Sequence, residues 1–175
     1  MGWVVVVIHH TRTMEIKLTF PEAANAAQVG AMRHISSVMK GRKDRYGADP
    51  DKAWQIHMEG ACGEQAAAKA LNTHWPATLN HFDKPDIGCC VQVKTRSLDW
   101  FDLLVRPSDR DDYYFVLVTG SFPAYQVRGY MLGADAKQSK WLKGHGGRDP
   151  AYFVPQKDLQ PIEKLRLILA TGADA

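Results

Sequence analysis

The run Tyr113-Tyr114-Phe115-Val116-Leu117-Val118-Thr119 constrains this chain more than any other stretch. It follows a polar turn at Ser108–Asp112 and ends at Gly120. A strand with one wet face alternates polar and apolar residues, whereas an unbroken apolar run has both faces covered. The run therefore predicts a central strand in a sheet packed on both sides. Candidate companions are Trp3–Ile8, Glu15–Phe20, Leu98–Val105, Tyr125–Leu132 and Tyr152–Val154. In Glu15–Phe20, Ile16, Leu18 and Phe20 share one face. Gly129, inside Tyr125–Leu132, marks a point of close packing.

Helices are expected between them. Pro21 suits a first helical turn and Glu22 suits its positive end, so a helix should run to about Lys40 and stop at Gly41. Ala134–Lys143 reads as a second helix with Lys137, Lys140 and Lys143 on one face, and Leu159–Leu169 as a third on the sheet's flank. With 175 residues, 45% of them hydrophobic, the chain suits a single domain over 1–175. Residues 1–13 read as an extension ahead of a second candidate start at Met14, and 170–175 as a loose tail. Trp3–Ile8 is too short for a membrane span or a signal core, which points to a cytoplasmic protein with no membrane partner. The same run is the natural edge for pairing with a second copy as a homodimer.

The chemistry concentrates between Gly60 and Arg96. Gly60–Leu71 is rich in helix formers, and Glu64 shares a side with Ala61, Ala67, Ala68 and Leu71. A carboxylate on a face of small residues is costly to bury unless a cation or a donor meets it. Pro85-Asp86-Ile87-Gly88 reads as a strand end and turn. Val91–Arg96 then alternates, with Val91, Val93 and Thr95 on one face and Gln92, Lys94 and Arg96 on the other.

A helix-borne Glu, an Asp after Pro, and a strand ending in x-x-Lys together resemble the core of the PD-(D/E)XK nuclease superfamily. Glu64 matches the helix acid, Pro85-Asp86 the PD element, and Gln92-Val93-Lys94 the (D/E)XK element, with Gln in place of the middle acid. The resemblance implies a restriction-endonuclease-like α/β fold, a mixed β-sheet flanked by helices. It also implies hydrolysis of phosphodiester bonds in DNA with magnesium or manganese as cofactor. On that reading Asp86, the Val93 carbonyl, the Gln92 amide oxygen and Glu64 surround the metal, and Lys94 orients the attacking water. RNA is the other substrate the pattern allows.

The remaining signals are weaker. Net charge is +3, which permits a polyanionic partner. Arg42, Lys43 and Arg45 at the first helix's end read either as a solvated terminus or as phosphate contacts, and Arg96, Lys140 and Arg148 as further backbone contacts. His57 is a supporting residue beside Glu64. Cys62, Cys89 and Cys90 carry no C-x-x-C spacing and read as reduced, buried thiols. Two other functions fit the residues: a catalytically inactive nucleic-acid-binding or assembly protein on the same fold, and a structural subunit of a larger viral or replication complex.

Overall fold

The computed structural model describes residues 13–41, 50–79, 84–145 and 148–171. The central prediction holds. Strand β4 (Tyr114–Ser121) lies inside a four-stranded sheet of order β1-β5-β4-β2, with β1 Met14–Lys17, β2 Val91–Arg96 and β5 Ala124–Leu132. The sheet is mixed: β2 runs parallel to β4, and β5 runs antiparallel to both β4 and β1. Val116 and Val118 point into one hydrophobic cluster, Phe115 and Leu117 into another. All four are at most 1% exposed, which is why the sequence there never alternates.

Helices cover the first face. α1 (Phe20–Met39) and α2 (Ala53–Ala70) contribute Ala26, Val29, Ala61, Ala66, Ala67 and Ala68, and α4 (Ile162–Thr171) adds Ile162 and Leu165. Small residues let these backbones approach closely. A Cβ on Gly30 would sit 2.6 Å from the His57 carbonyl oxygen, and one on Gly63 would sit 2.0 Å from the Thr95 hydroxyl. α1 starts where its cap dictates, with the Thr19 N–H donating to Glu22 at 2.6 Å, and it stops at Lys40 with Gly41 at φ +60°.

The second face differs from a sheet flanked by helices alone. It is covered by an antiparallel sheet of order β3-β7-β6, from Leu103–Val105, Arg148–Val154 and Leu142–His145. Leu103, Val105, Val154 and Trp141 pack there against Phe115 and Leu117.

Three expectations need correction. The Ala134–Lys143 helix is a single turn, α3 (Gly133–Ala136), followed by a 3₁₀ turn at Ser139–Trp141 and then β6. Trp141 is buried in the second cluster and Leu142 pairs with Tyr152, so tertiary packing and strand pairing override helix propensity and dissolve the lysine stripe. Leu98–Val105 is a strand only from Leu103. Ahead of it the Phe101 N–H turns back to the Leu98 carbonyl at 3.1 Å, and Gln156 donates to the Asp99 and Phe101 carbonyls. Phe20 opens α1 instead of ending a strand, and is 84% exposed. Gly129 does mark close packing: it has φ +135°, and a Cβ there would lie 2.5 Å from the Gln160 carbonyl oxygen. Trp3–Ile8 lies outside the described residues. Among the described residues no helix is long and apolar enough to cross a membrane.

Candidate active site at the free edge of β2

Among the described residues β2 ends the larger sheet, so one of its sides is unpaired with any described strand of that sheet. The Cys90 carbonyl accepts from the Tyr114 N–H of β4 at 2.8 Å, whereas the Val93 N–H faces away from β4 and donates to Asp86 Oδ2 at 2.7 Å. In an extended strand the N–H and C=O of one residue point to the same side. The Val93 carbonyl therefore also looks off the free edge, next to Asp86. A short turn holds Asp86 in place: its N–H and that of Ile87 both donate to the Val91 carbonyl, at 2.9 and 3.1 Å.

Asp86 is half-buried and accepts a second bond at Oδ2 from the Gln92 amide, at 2.7 Å. Desolvation raises its pKa from 3.8 to about 7, and the nearby Glu64 charge adds to the rise. The Val93 N–H, Arg33 and Lys94 act in the opposite direction. A carboxyl group of this kind gains strongly from a cation placed beside it. Gln92 points its N–H donors at Asp86, where a glutamate would set two carboxylates against each other. Gln92→Glu is thus expected to lower stability by roughly 1–3 kcal/mol in EDTA at pH 8. The loss should shrink at pH 5.5, where one proton is shared, and added divalent ion should recover part of it. Thermal melts at the two pH values check this; melting curves that overlay the parent's at both would show that the Gln92–Asp86 bond does not matter.

Glu64 sits on α2 and is 7% exposed. The cation and the donor that its burial demands are both present. Arg33 of α1 grips it bidentately, Nη1 to Oε1 at 2.5 Å and Nη2 to Oε2 at 2.8 Å, and the Trp75 indole N–H donates to Oε2 at 3.0 Å. Arg33 also donates from Nε and Nη2 to the Thr78 carbonyl, at 3.0 and 2.8 Å. Burial alone would lower the Arg33 pKa, but the hydrogen bond and charge of Glu64, with the charge of Asp86, hold it above the ordinary value. Both Glu64 oxygens are therefore engaged by protein donors.

Lys94 lies on the opposite face of β2 from Val93, 5.2 Å from the centre of the Phe115 ring. Its ammonium meets Asp109 Oδ2 at 2.9 Å, and the same oxygen accepts the Arg106 N–H at 2.9 Å. The Glu64 charge raises the Asp86 pKa and the Lys94 charge lowers it. The residues that sequence reasoning missed are Arg33, Trp75 and Asp109. Only the first had a signal: a buried glutamate requires a cation, and α1 carries Arg33 among apolar neighbours.

No protein-family model, no curated protein and no solved structure matches the chain. The geometry has to speak for itself.

The other candidates are scattered. The Arg96 guanidinium stacks 4.3 Å over Phe101, and Nη1 lies 3.4 Å from the Asp102 carbonyl, so it braces the following loop. Lys140 lies 4.3 Å over the Trp141 ring. Arg148 opens β7, and its side chain is outside the described residues, as are Arg42, Lys43 and Arg45. The His57 ring is 5.3 Å from that of His34, which in turn meets Trp54 at 4.4 Å with the rings tilted by 52°, between α1 and α2. Burial, then the charges of His34 and Arg33, lower the His57 pKa. Cys62 is buried, but Cys89 is exposed and Cys90 half-buried, because a tight turn cannot cover its own apex.

The donor set fits a hard divalent cation of the magnesium type. Such an ion binds through one or two carboxylates and a carbonyl while retaining several waters. Asp86 and the Val93 carbonyl would hold it. Among the described residues no group of three His, Cys, Asp or Glu side chains gathers into a metal site.

Proposed function

We propose that the chain is a metal-dependent nuclease that hydrolyses phosphodiester bonds in DNA at the free edge of β2. The observation that carries this reading is Asp86: a carboxyl group pushed up to about 7, beside an outward strand carbonyl and within electrostatic reach of a lysine. A divalent ion bound there supplies Lewis-acid stabilisation of the phosphate and an acidified water. Asp86 anchors it, and Gln92 orients the Asp86 carboxylate through its amide N–H. Arg33 and Glu64 set the potential around Asp86 without either contacting solvent freely. Lys94, held ready by Asp109, supplies a compact positive charge for the phosphate in the transition state.

A second reading follows from Arg33. Because it occupies both oxygens of Glu64, the site offers a single carboxylate, which suits a protein that binds nucleic acid without cutting it. One assay separates the two. Purified protein is incubated with linear and circular DNA and magnesium or manganese, alongside Asp86→Asn and Lys94→Ala. The nuclease reading predicts cleavage that EDTA abolishes and that falls at least a hundredfold in both variants, with Gln92→Glu retained or improved in magnesium. Salt-sensitive binding with no cleavage by any divalent ion supports the second reading. Cleavage that survives both substitutions places the reaction elsewhere in the chain.

A further inference from the structure

The turn that carries Asp86 also carries two thiols that the proposed hydrolysis does not use; Cys90 packs in part against the helix-side cluster, and Cys89 is exposed. Cys89 and Cys90 occupy its apex after Gly88, whose φ is +58°, and their sulfurs lie 3.2 Å apart. Cys89 is exposed, whereas the third cysteine, Cys62, is 5% exposed and buried in the helix-side cluster. A tetrahedral zinc with sulfurs at about 2.3 Å separates a sulfur pair by roughly 3.8 Å and needs further ligands. A reachable thiol beside a second that can resolve it is instead the arrangement of a reversible oxidation site.

We propose that Cys89 and Cys90 form a reversible two-electron oxidation site for hydroperoxides, joined through their effect on the Asp86 turn to the candidate active site. With hydrogen peroxide as the oxidant, the Cys89 sulfur attacks the O–O bond, forming sulfenic acid and releasing one water (an alkyl hydroperoxide releases its alcohol instead). The Cys90 sulfur then displaces the sulfenic oxygen, which leaves as a second water with the Cys90 proton. An S–S bond remains, two electrons having passed from the sulfurs to the peroxide.

Bond formation draws the sulfurs from 3.2 Å to about 2.05 Å. Adjacent Cα atoms are only about 3.8 Å apart, shorter than disulfides normally span, so the backbone of the turn must rearrange. That backbone makes the Asp86-to-Val91 bond, the Val91-to-Ile87 bond at 3.2 Å and the Tyr114-to-Cys90 bond that starts β2. Oxidation therefore displaces Asp86 from the Val93 N–H.

The test treats the intact protein with a small excess of hydrogen peroxide and reads its mass. A loss of two hydrogens is expected, on the peptide spanning Asp86 and Lys94, with Cys62 still alkylatable after denaturation and the mass restored by dithiothreitol. Cys90→Ser should stop at a sulfenic acid that dimedone traps. A parent protein that proceeds to sulfinic acid at Cys89, or that forms only disulfide-linked dimers, overturns the proposal, as does a Cys90→Ser variant indistinguishable from the parent. The link to the site rests on the nuclease reading: oxidised protein should cleave at least tenfold more slowly and recover with dithiothreitol. If the reduced protein never cleaves DNA, that reading fails while the mass result still decides the thiol chemistry. Cys89→Ser should cleave at the parent rate and ignore peroxide; a peroxide-sensitive Cys89→Ser rules the pair out as the cause.

Discussion

Glu64→Ala is expected to cost the fold roughly 3–5 kcal/mol, the usual range for removing one partner of a buried ion pair. The loss arises from what stays behind. Arg33 would keep its charge between α1 and α2 with the Thr78 carbonyl as its remaining hydrogen-bond partner among the described residues and the Asp86 charge as a partial offset, and the Trp75 indole N–H would lose its acceptor at 3.0 Å. For a chain of this length each kcal/mol moves the melting temperature by about 2–4 °C, so a drop of roughly 6–20 °C should be plain in a thermal melt. Arg33→Met in the same background should cost much less than it does alone, because the charge that lacked a partner is gone. A loss below about 1 kcal/mol for Glu64→Ala would mean that water reaches the pair.

Asp86→Asn should act in the opposite direction. The folded-state pKa of Asp86 lies above its value of 3.8 in the unfolded chain, so the native state binds the proton more tightly. Native stability from this group is then greatest below about pH 4, falls as pH rises toward 7, and stays low above that. The asparagine carbonyl can accept from both Gln92 and the Val93 N–H, as Oδ2 does now, and it carries no charge to desolvate or to oppose Glu64. At pH 8 the variant should be more stable by roughly 2–4 kcal/mol, with the advantage vanishing near pH 4. Denaturant melts across that range check the slope. An advantage independent of pH would show that Asp86 is not the titrating group. Stability gained by removing this carboxylate is the trade that the proposed role of Asp86 predicts.

Much of the fold was legible where local pattern and tertiary demand agree. The uninterrupted Tyr113–Thr119 run placed β4 inside the sheet, because a strand covered on both faces leaves no polar positions. Pro21, Glu22 and Gly41 marked the limits of α1 through local chemistry that depends on few neighbours, whereas Thr19, which caps the helix, was read as part of a strand. The alternation of β2 and the burial of Glu64 followed in the same way. Ala134–Lys143 failed because its fate rests on Trp141 and on pairing with β7, contacts remote in sequence. The second sheet was missed for a related reason: β3 and β6 are three and four residues long, too short to declare a period. In the site, residue types and order were readable but partners were not. Glu64 announced its need for a cation without saying that Arg33, 31 positions away, would fill it. Lys94 gave no sign that Asp109 would hold it.

The central claim is that Asp86 is the seat of a divalent cation, and calorimetric titration of manganese into metal-free protein tests it most directly. If the ion binds at Asp86, it must displace whatever proton the carboxyl group holds. Binding at pH 7 should release about half a proton per ion, nearly one at pH 6 and almost none at pH 8.5, with affinity lost in Asp86→Asn. Manganese that binds Asp86→Asn as tightly as the parent, or with no pH-dependent proton release, would contradict the account.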